Sequence, residues 1–287
     1  FHTELEAVYE EYNMGQDNVR RKMYQATLEA LFPTHPYNVS TIGLGEHLKS
    51  PSMEAIHNYF STYYVPNNIA ICMAGDLDYA QTIAMIDKYF SSWKPKTVKK
   101  NVVPQEAPMH KALTKEVLTK DPEFLNIVYR FPTTPENELM LKLVDGILQN
   151  GQAGLIDLNL LQEQKVLDAA TYIMEMSDYT LFNFYGKPRK GQSLEEVAAL
   201  LNSQLDLLKK GDFEEWLLNA VIKDYKLKEL KSIESNAGIT AKMVSAFIDE
   251  IPWQKQVNKL DAMSKISKTE LLKFVNMEFR DNHVVIF

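Results

Sequence analysis

A single cysteine, Cys72, occurs among the 287 residues, so no disulfide can form within the chain. That scarcity does not assign a compartment, because disulfide-free proteins occur in the cytosol and the periplasm alike. No apolar run approaches the roughly 20 residues needed to span a bilayer. Basic charge is outnumbered: 31 Lys+Arg stand against 38 Asp+Glu, for a formal net charge of -7. This argues against a cationic nucleic-acid groove and gives no strong pull toward anionic membranes. The six histidines are His2, His35, His47, His57, His110 and His283, and no two of them frame H-x-x-E-H or H-E-x-x-H. No Ser/His/Asp or Cys/His arrangement occurs, since Cys72 lies in an apolar run away from any histidine. Gly43-Leu44-Gly45 follows no strand and lacks the Lys-Ser/Thr of a phosphate loop. Low-complexity segments and tight repeats are missing too.

What is present describes a soluble globular protein, with 45% hydrophobic and 24% charged residues. The chain is long for one core, and two domains are expected. Its start at Phe1, on an acidic helix, is how a cleaved product or an expressed segment looks, with any targeting signal upstream.

The stretch Thr3 to Asn18 places Glu4, Glu6, Glu10 and Glu11 within eight positions, with no basic residue before Arg20. At about 100° per residue, Glu4 and Glu11 point almost the same way, with Ala7 and Val8 between them. Leu5 and Tyr12 complete an apolar side, and Glu6 and Glu10 point roughly opposite. The pattern puts Glu4 and Glu11 on the side expected to be buried, facing a cation, a donor or a metal; the alternative reading is a solvated acidic helix whose apolar stripe lies slightly to one side.

Val19 to Phe32 reads as a second helix, ended by Pro33-Thr34-His35-Pro36-Tyr37. His35, between two prolines, reads as a rigid loop residue packed by Tyr37. Ser50 is expected to cap a third helix running to about Tyr64. Ile69 to Ala74 is a continuous apolar run, the pattern of a strand covered on both sides, with Cys72 buried in it. Leu77 to Trp93 carries another helix. Lys94 to Pro108, with three prolines and four lysines, reads as an interdomain linker. Beyond it, strands are expected at 113–119, 124–131, 169–176, 180–185 and 283–287. Helices are expected at 136–149, from the Gly151–Gly154 turn through Glu163, and at 193–210, 212–233, 237–251 and 268–279. Hairpins mixed with runs of helices mean an α+β fold, with helices packed on one face of each mainly antiparallel sheet.

Several pieces together resemble the pitrilysin/insulinase family of zinc peptidases, which includes the mitochondrial processing peptidase. They are Glu4-x6-Glu11, Leu31-Phe32 with His35-Pro36-Tyr37, and Tyr63-Tyr64-Val65-Pro66-Asn67-Asn68. The run Ile69 to Asp76, Tyr89-Phe90 to Trp93, Gly151-Gln152, Gly186-Lys187-Pro188-Arg189 and the closing strand also fit. The resemblance implies two mitochondrial-processing-peptidase-like domains. Residues 1–97 would be the rear part of a truncated first domain, 98–109 a linker, and 110–287 a complete, non-catalytic second domain.

In that family an H-x-x-E-H motif supplies two zinc-binding histidines and the glutamate that activates water. By position, Glu11 resembles the third zinc ligand and Glu4 the supporting carboxylate seven residues earlier. The histidine motif is missing here, so the chain looks like a segment starting just after it. Alone it is expected to lack peptidase activity and to bind zinc weakly or not at all. The intact protein would be a zinc-dependent endopeptidase cutting peptides or unfolded chains in a closed chamber. Expected partners are that substrate, the rest of its own chain or a second family half, and another copy in a homo-oligomer. A bacterial periplasm or cell envelope is the preferred location, with the cytoplasm as alternative. Two competing readings remain: a non-catalytic family member acting as scaffold or substrate-guiding partner, and an unrelated peptide-binding module.

Overall fold

A computed structural model describes residues 1–287, apart from the side chain of His2. The chain divides into two compact units that interleave along the sequence. One holds residues 1–43, 103–224 and 261–287, and the other residues 44–102 and 225–260.

The first unit is built on a five-stranded sheet in the order β1-β5-β2-β4-β3. Its strands are β1 (Leu113–Lys115), β2 (Leu125–Pro132), β3 (Asp168–Glu175), β4 (Tyr179–Lys187) and β5 (His283–Ile286). All pairings are antiparallel except β1 with β5, so the sheet is mainly antiparallel. Alternation sends Leu125, Ile127, Tyr129 and Phe131 to one face of β2, all nearly inaccessible to solvent. Phe279 anchors that face, its ring 4.8 Å from Tyr129 and 5.1 Å from Phe131.

Twelve α-helices are described. The N-terminal pair is α1 (His2–Gln16) and α2 (Val19–Leu31), followed by α3 (Gly45–Lys49), α4 (Met53–Tyr63), α5 (Tyr79–Phe90) and α6 (Pro135–Leu148). The rest are α7 (Leu194–Lys210), α8 (Glu215–Ser232), α9 (Asn236–Ile248), α10 (Trp253–Val257), α11 (Lys259–Met263) and α12 (Lys268–Glu278). In the first unit α6 and α7 pack on the sheet, and α12 packs on both helices. Local chemistry sets their ends. Ser193 and Glu196 close a capping box at the start of α7, and Gly211 ends it at φ +73, a left-handed turn suited to glycine. The opposite sheet face is covered by α2, whose Met23, Leu28 and Leu31 share a core with Val128, Leu181, Val284 and Ile286.

The second unit contains α3, α4, α5, the C-terminal part of α8, α9 and α10. Here two expectations fail. Ile69 to Ala74 is extended but joins no ladder, and Ile69, Ile71 and Met73 are 38%, 47% and 46% exposed. Cys72 is accordingly half-buried instead of sealed in a strand. An apolar run becomes a strand only when neighbours accept its backbone hydrogen bonds, and among the described residues none does. The cap of α4 is Ser52, whose hydroxyl accepts from the N–H of Ala55 at 3.1 Å; Ser50 instead ends the short helix α3.

The lysine-rich stretch 94–108 is irregular, as its composition predicts, but residues 106–107 are anchored by side chains. The Gly151–Gly154 turn is organised by Asp157, a buried carboxylate at the start of a π-helical turn (Asp157–Gln162). Its Oδ2 accepts the N–H groups of Asn150, Gly151 and Gly154 at 2.9, 2.8 and 3.1 Å.

Candidate functional site: the acidic helix and the loop after α2

Glu4 and Glu11 lie on α1 and are both exposed. The half-buried stripe of this helix is Leu5, Tyr9 and Tyr12, at i, i+4 and i+7, with the two tyrosine rings 6.3 Å apart. The expected burial of the two acids is therefore not what the chain shows. The stripe that packs is centred on Leu5, about a third of a turn round the helix from Glu4 and Glu11. The two carboxylates keep the same direction along the helix, as the seven-residue spacing requires, but water solvates them. The side chain of His2 lies outside the described residues.

A tetrahedral zinc site needs three protein ligands and an open position. Among the described residues, no group of three His, Cys, Asp or Glu side chains is placed to hold a metal. Glu4 and Glu11 offer two oxygen donors without histidine partners, so this donor set does not fit zinc by itself.

The titratable groups that are buried together lie elsewhere, at the loop ending α2. His35 is 2% exposed and wedged among Phe32, Tyr37 and Tyr179, with the Tyr37 ring 4.0 Å away. Its Nδ1 accepts from the N–H of Tyr37 at 3.2 Å, which fits the rigid-loop reading. Beside it Glu106, with a side chain only 2% exposed, accepts the N–H groups of Thr34 and His35 at 2.7 and 2.6 Å. Burial works against the Glu106 charge. The His35 and Thr34 N–H groups, with the Arg130 guanidinium 3.8 Å away, outweigh it and hold the carboxyl below its usual pKa.

Arg130 donates to the carbonyls of Leu31 and Ala107 and lies over the Phe32 and Tyr179 rings at 5.5 and 5.3 Å. Burial pulls its pKa below the ordinary value, while Glu106 and Tyr179 oppose that. The partners in this cluster are backbone groups, rings, the Tyr179 hydroxyl and oppositely charged side chains, so the cluster ties the loop after α2 to the sheet. The sequence reading found His35 but missed Glu106 and Arg130. One lies in an apparent linker and the other faces inward from a strand, and neither carries a local motif.

Residues 52–225, more than half of the chain, match the family described as "Peptidase M16 inactive domain". The chain belongs to this family. The M16 assignment agrees with the curated relative "Zinc protease PqqE" of Helicobacter pylori, 23% identical over 98% of this chain. The chain spans 65% of the length of that relative. A shorter match joins it to "Uncharacterized zinc protease ML0855" of Mycobacterium leprae, 27% identical over 31% of this chain and 20% of that protein. Among solved structures, a protease from Helicobacter pylori superimposes with a TM-score of 0.85 at 18% identity, covering 99% of this chain and 70% of the other. The periplasmic protease PqqL from Escherichia coli gives 0.79 at 14% identity, covering 99% of this chain and 33% of the other. These superpositions show a fold shared with solved proteases, and the two curated relatives are named as zinc proteases.

Proposed function

We propose that this chain is a segment of a zinc-dependent endopeptidase that hydrolyses peptides or unfolded polypeptides within an enclosed chamber. Residues 1–97 form the rear part of the zinc-site domain, 98–109 the linker, and 110–287 a second domain without chemistry of its own. The observation that carries the reading is the match to an M16 inactive domain within a chain that aligns along 98% of its length with a named zinc protease.

In this reading Glu11 is a zinc ligand and Glu4 the carboxylate that supports it. They meet the metal only when histidines from elsewhere in the intact protein are present. Zinc, when bound, would polarise the scissile carbonyl and activate water. What this chain contributes is the orientation of two carboxylates along one helix face. The apolar side chains open on α4, on α5 and along residues 69–74 suit contact with the rest of the same protein, a second family half or another copy. The name of the periplasmic relative supports a periplasmic or cell-envelope location.

The test is metal analysis and peptidase assay of the full-length protein. Glu11→Gln should abolish both zinc and activity, and wild-type zinc content would refute the ligand role. Glu4→Gln should keep some metal and lose most of the rate; unchanged kinetics would remove it from the site. Both positions are exposed in this chain, so neither substitution should unfold it.

A non-catalytic member that acts as scaffold or guides substrate is the second reading, supported by the match to a family described as an inactive domain. An H-x-x-E-H motif ahead of Glu4 in the full-length protein would decide for the enzyme, and a degraded motif for the scaffold.

A further inference from the structure

Between α2 and the uncovered part of the sheet lies a cavity of about 320 Å³. Arg20, Tyr24 and Thr27 reach it from α2, spaced i, i+4 and i+7 on one helical face. The strands supply two cross-strand rows, Asn126–Tyr185–Ala170 and Asn183–Tyr172. Room exists there because Ala170 is small where its neighbours on the rows are large.

Asn126 is 8% exposed, its Oδ1 is sealed from solvent, and that atom has no hydrogen-bond partner. Asn183, 4% exposed, makes one long bond, its Nδ2 donating to the Tyr172 carbonyl at 3.5 Å. A buried carboxamide atom without a partner is costly. The sealed end stays out of a ligand's reach whichever way the amide is turned; a ligand meets only the part of Asn126 that lines the cavity, where the turned amide would present its oxygen as an acceptor.

Above this floor the walls are the rings of Tyr24, Phe124, Tyr172 and Tyr185. Burial raises the phenol pKa of all three tyrosines, which keeps them neutral. Arg20 and Asp168, both exposed, stand at the rim with opposite charges. The rim is therefore near neutral overall, while the interior is aromatic with an amide floor.

We propose that this cavity binds a flat, uncharged aromatic ring carrying an N–H donor, as in the tryptophan side chain of a bound polypeptide. The ring would lie between the aromatic walls, its N–H on the Asn126 carboxamide and the Arg20 guanidinium against its face. The volume is within the range of small-ligand sites, about 300–1,000 Å³. A nucleobase would satisfy the same floor. The net charge of -7 opposes the phosphates attached to it in a nucleic acid. The polypeptide setting rests on the peptidase reading above, whereas the pocket does not, so the two fail separately.

The test is calorimetric titration of the 287-residue chain with N-acetyl-tryptophanamide, N-acetyl-phenylalaninamide and adenosine. Saturable binding of the tryptophan amide is expected, in the millimolar to submillimolar range for so small a ligand (on the order of 0.1–3 mM). The phenylalanine amide should bind about tenfold more weakly, because it leaves the carboxamide unpaired. Asn126→Leu should lose binding by about tenfold or more while Tm stays equal or rises, since an orphaned polar group is removed. Ala170→Leu should fill the space and lose binding with the amide intact. Four results would each overturn the proposal: no saturation by the tryptophan amide, equal binding of the two amides, adenosine binding more tightly, or wild-type affinity in both variants. A lowered Tm in Asn126→Leu would count against it as well, because the amide would then be serving the fold. Peptidase activity enters none of these measurements.

Discussion

His35 Nε2 lies 3.2 Å from Asp178 Oδ2, joining the loop after α2 to the β3–β4 turn across 143 positions of sequence. The imidazole is buried while the carboxylate is 51% exposed, so the contact runs from the interior to the surface. The Tyr37 hydroxyl reinforces the join by accepting the N–H of Asp178 at 3.0 Å. Asp178→Ala should therefore cost about 1–2 kcal/mol, the penalty for leaving a buried ring nitrogen without its partner. Urea denaturation measures it, and a midpoint equal to wild type would show that the contact carries no stability. Tyr37→Phe combined with Asp178→Ala should give less than the sum of the single losses.

Glu106 predicts the behaviour in acid. Its carboxyl pKa is held below the usual value by the His35 and Thr34 N–H groups and Arg130, against the cost of its burial. Below the unfolded pKa near 4.5 the unfolded chain takes up a proton that folded Glu106 refuses. The stabilisation is present above that pH and is lost as pH falls toward the folded pKa. Glu106→Gln should remove this part of the acid dependence. It should also lower stability at neutral pH by about 1–3 kcal/mol, through loss of charge-assisted hydrogen bonds. Melting curves of both proteins from pH 7 to 3 test it, and parallel curves would contradict the assignment.

His283 predicts a second slope at higher pH. Burial lowers its pKa, opposed by the Arg280 carbonyl 3.1 Å from Nδ1 and by Asp281. Its ring lies 4.8 Å from that of Tyr129. The unfolded histidine protonates near 6.5 while the folded one stays neutral, so stability declines as pH falls from about 6.5 toward the lower folded value. His283→Phe keeps a ring against Tyr129 and should flatten the curve over that window. An unchanged slope would place the proton uptake elsewhere.

Gly146 predicts a sign reversal. A Cβ built there meets Val221 Cγ1 at 2.5 Å, so α6 and α8 approach too closely for a methyl group. Gly146→Ala gains about 1 kcal/mol of helix propensity but overpacks a buried contact that costs about 1–3 kcal/mol, and should destabilise. With Val221→Ala as background, the same change should stabilise. Two denaturation series decide, and destabilisation in both backgrounds would mean that backbone, not Val221, sets the approach.

Much of the fold was legible in local pattern. The period of α2 and the prolines after it, the hairpin of β3 and β4, and the capping box at Ser193 all lie in short stretches of sequence. The candidate site was less legible. Glu4 and Glu11 were correctly placed on one helix and in one direction, but which stripe of that helix packs depends on neighbours. Leu5, Tyr9 and Tyr12 proved to be that stripe. Glu106 was hidden because its partners are backbone groups more than 70 positions away, which no local motif records.

By itself the sequence carried the α+β class, the family through its resemblance, and the placing of Glu4 and Glu11 in one direction on one helix, because helical periodicity acts over a few turns. Tertiary structure alone decided that Ile69 to Ala74 stays unpaired, that α2 lies on the sheet, and that Asn126 floors a cavity without a partner. The physical reason is that strand pairing, burial and hydrogen-bond satisfaction are properties of what a residue meets. Those meetings span tens to more than a hundred positions of chain.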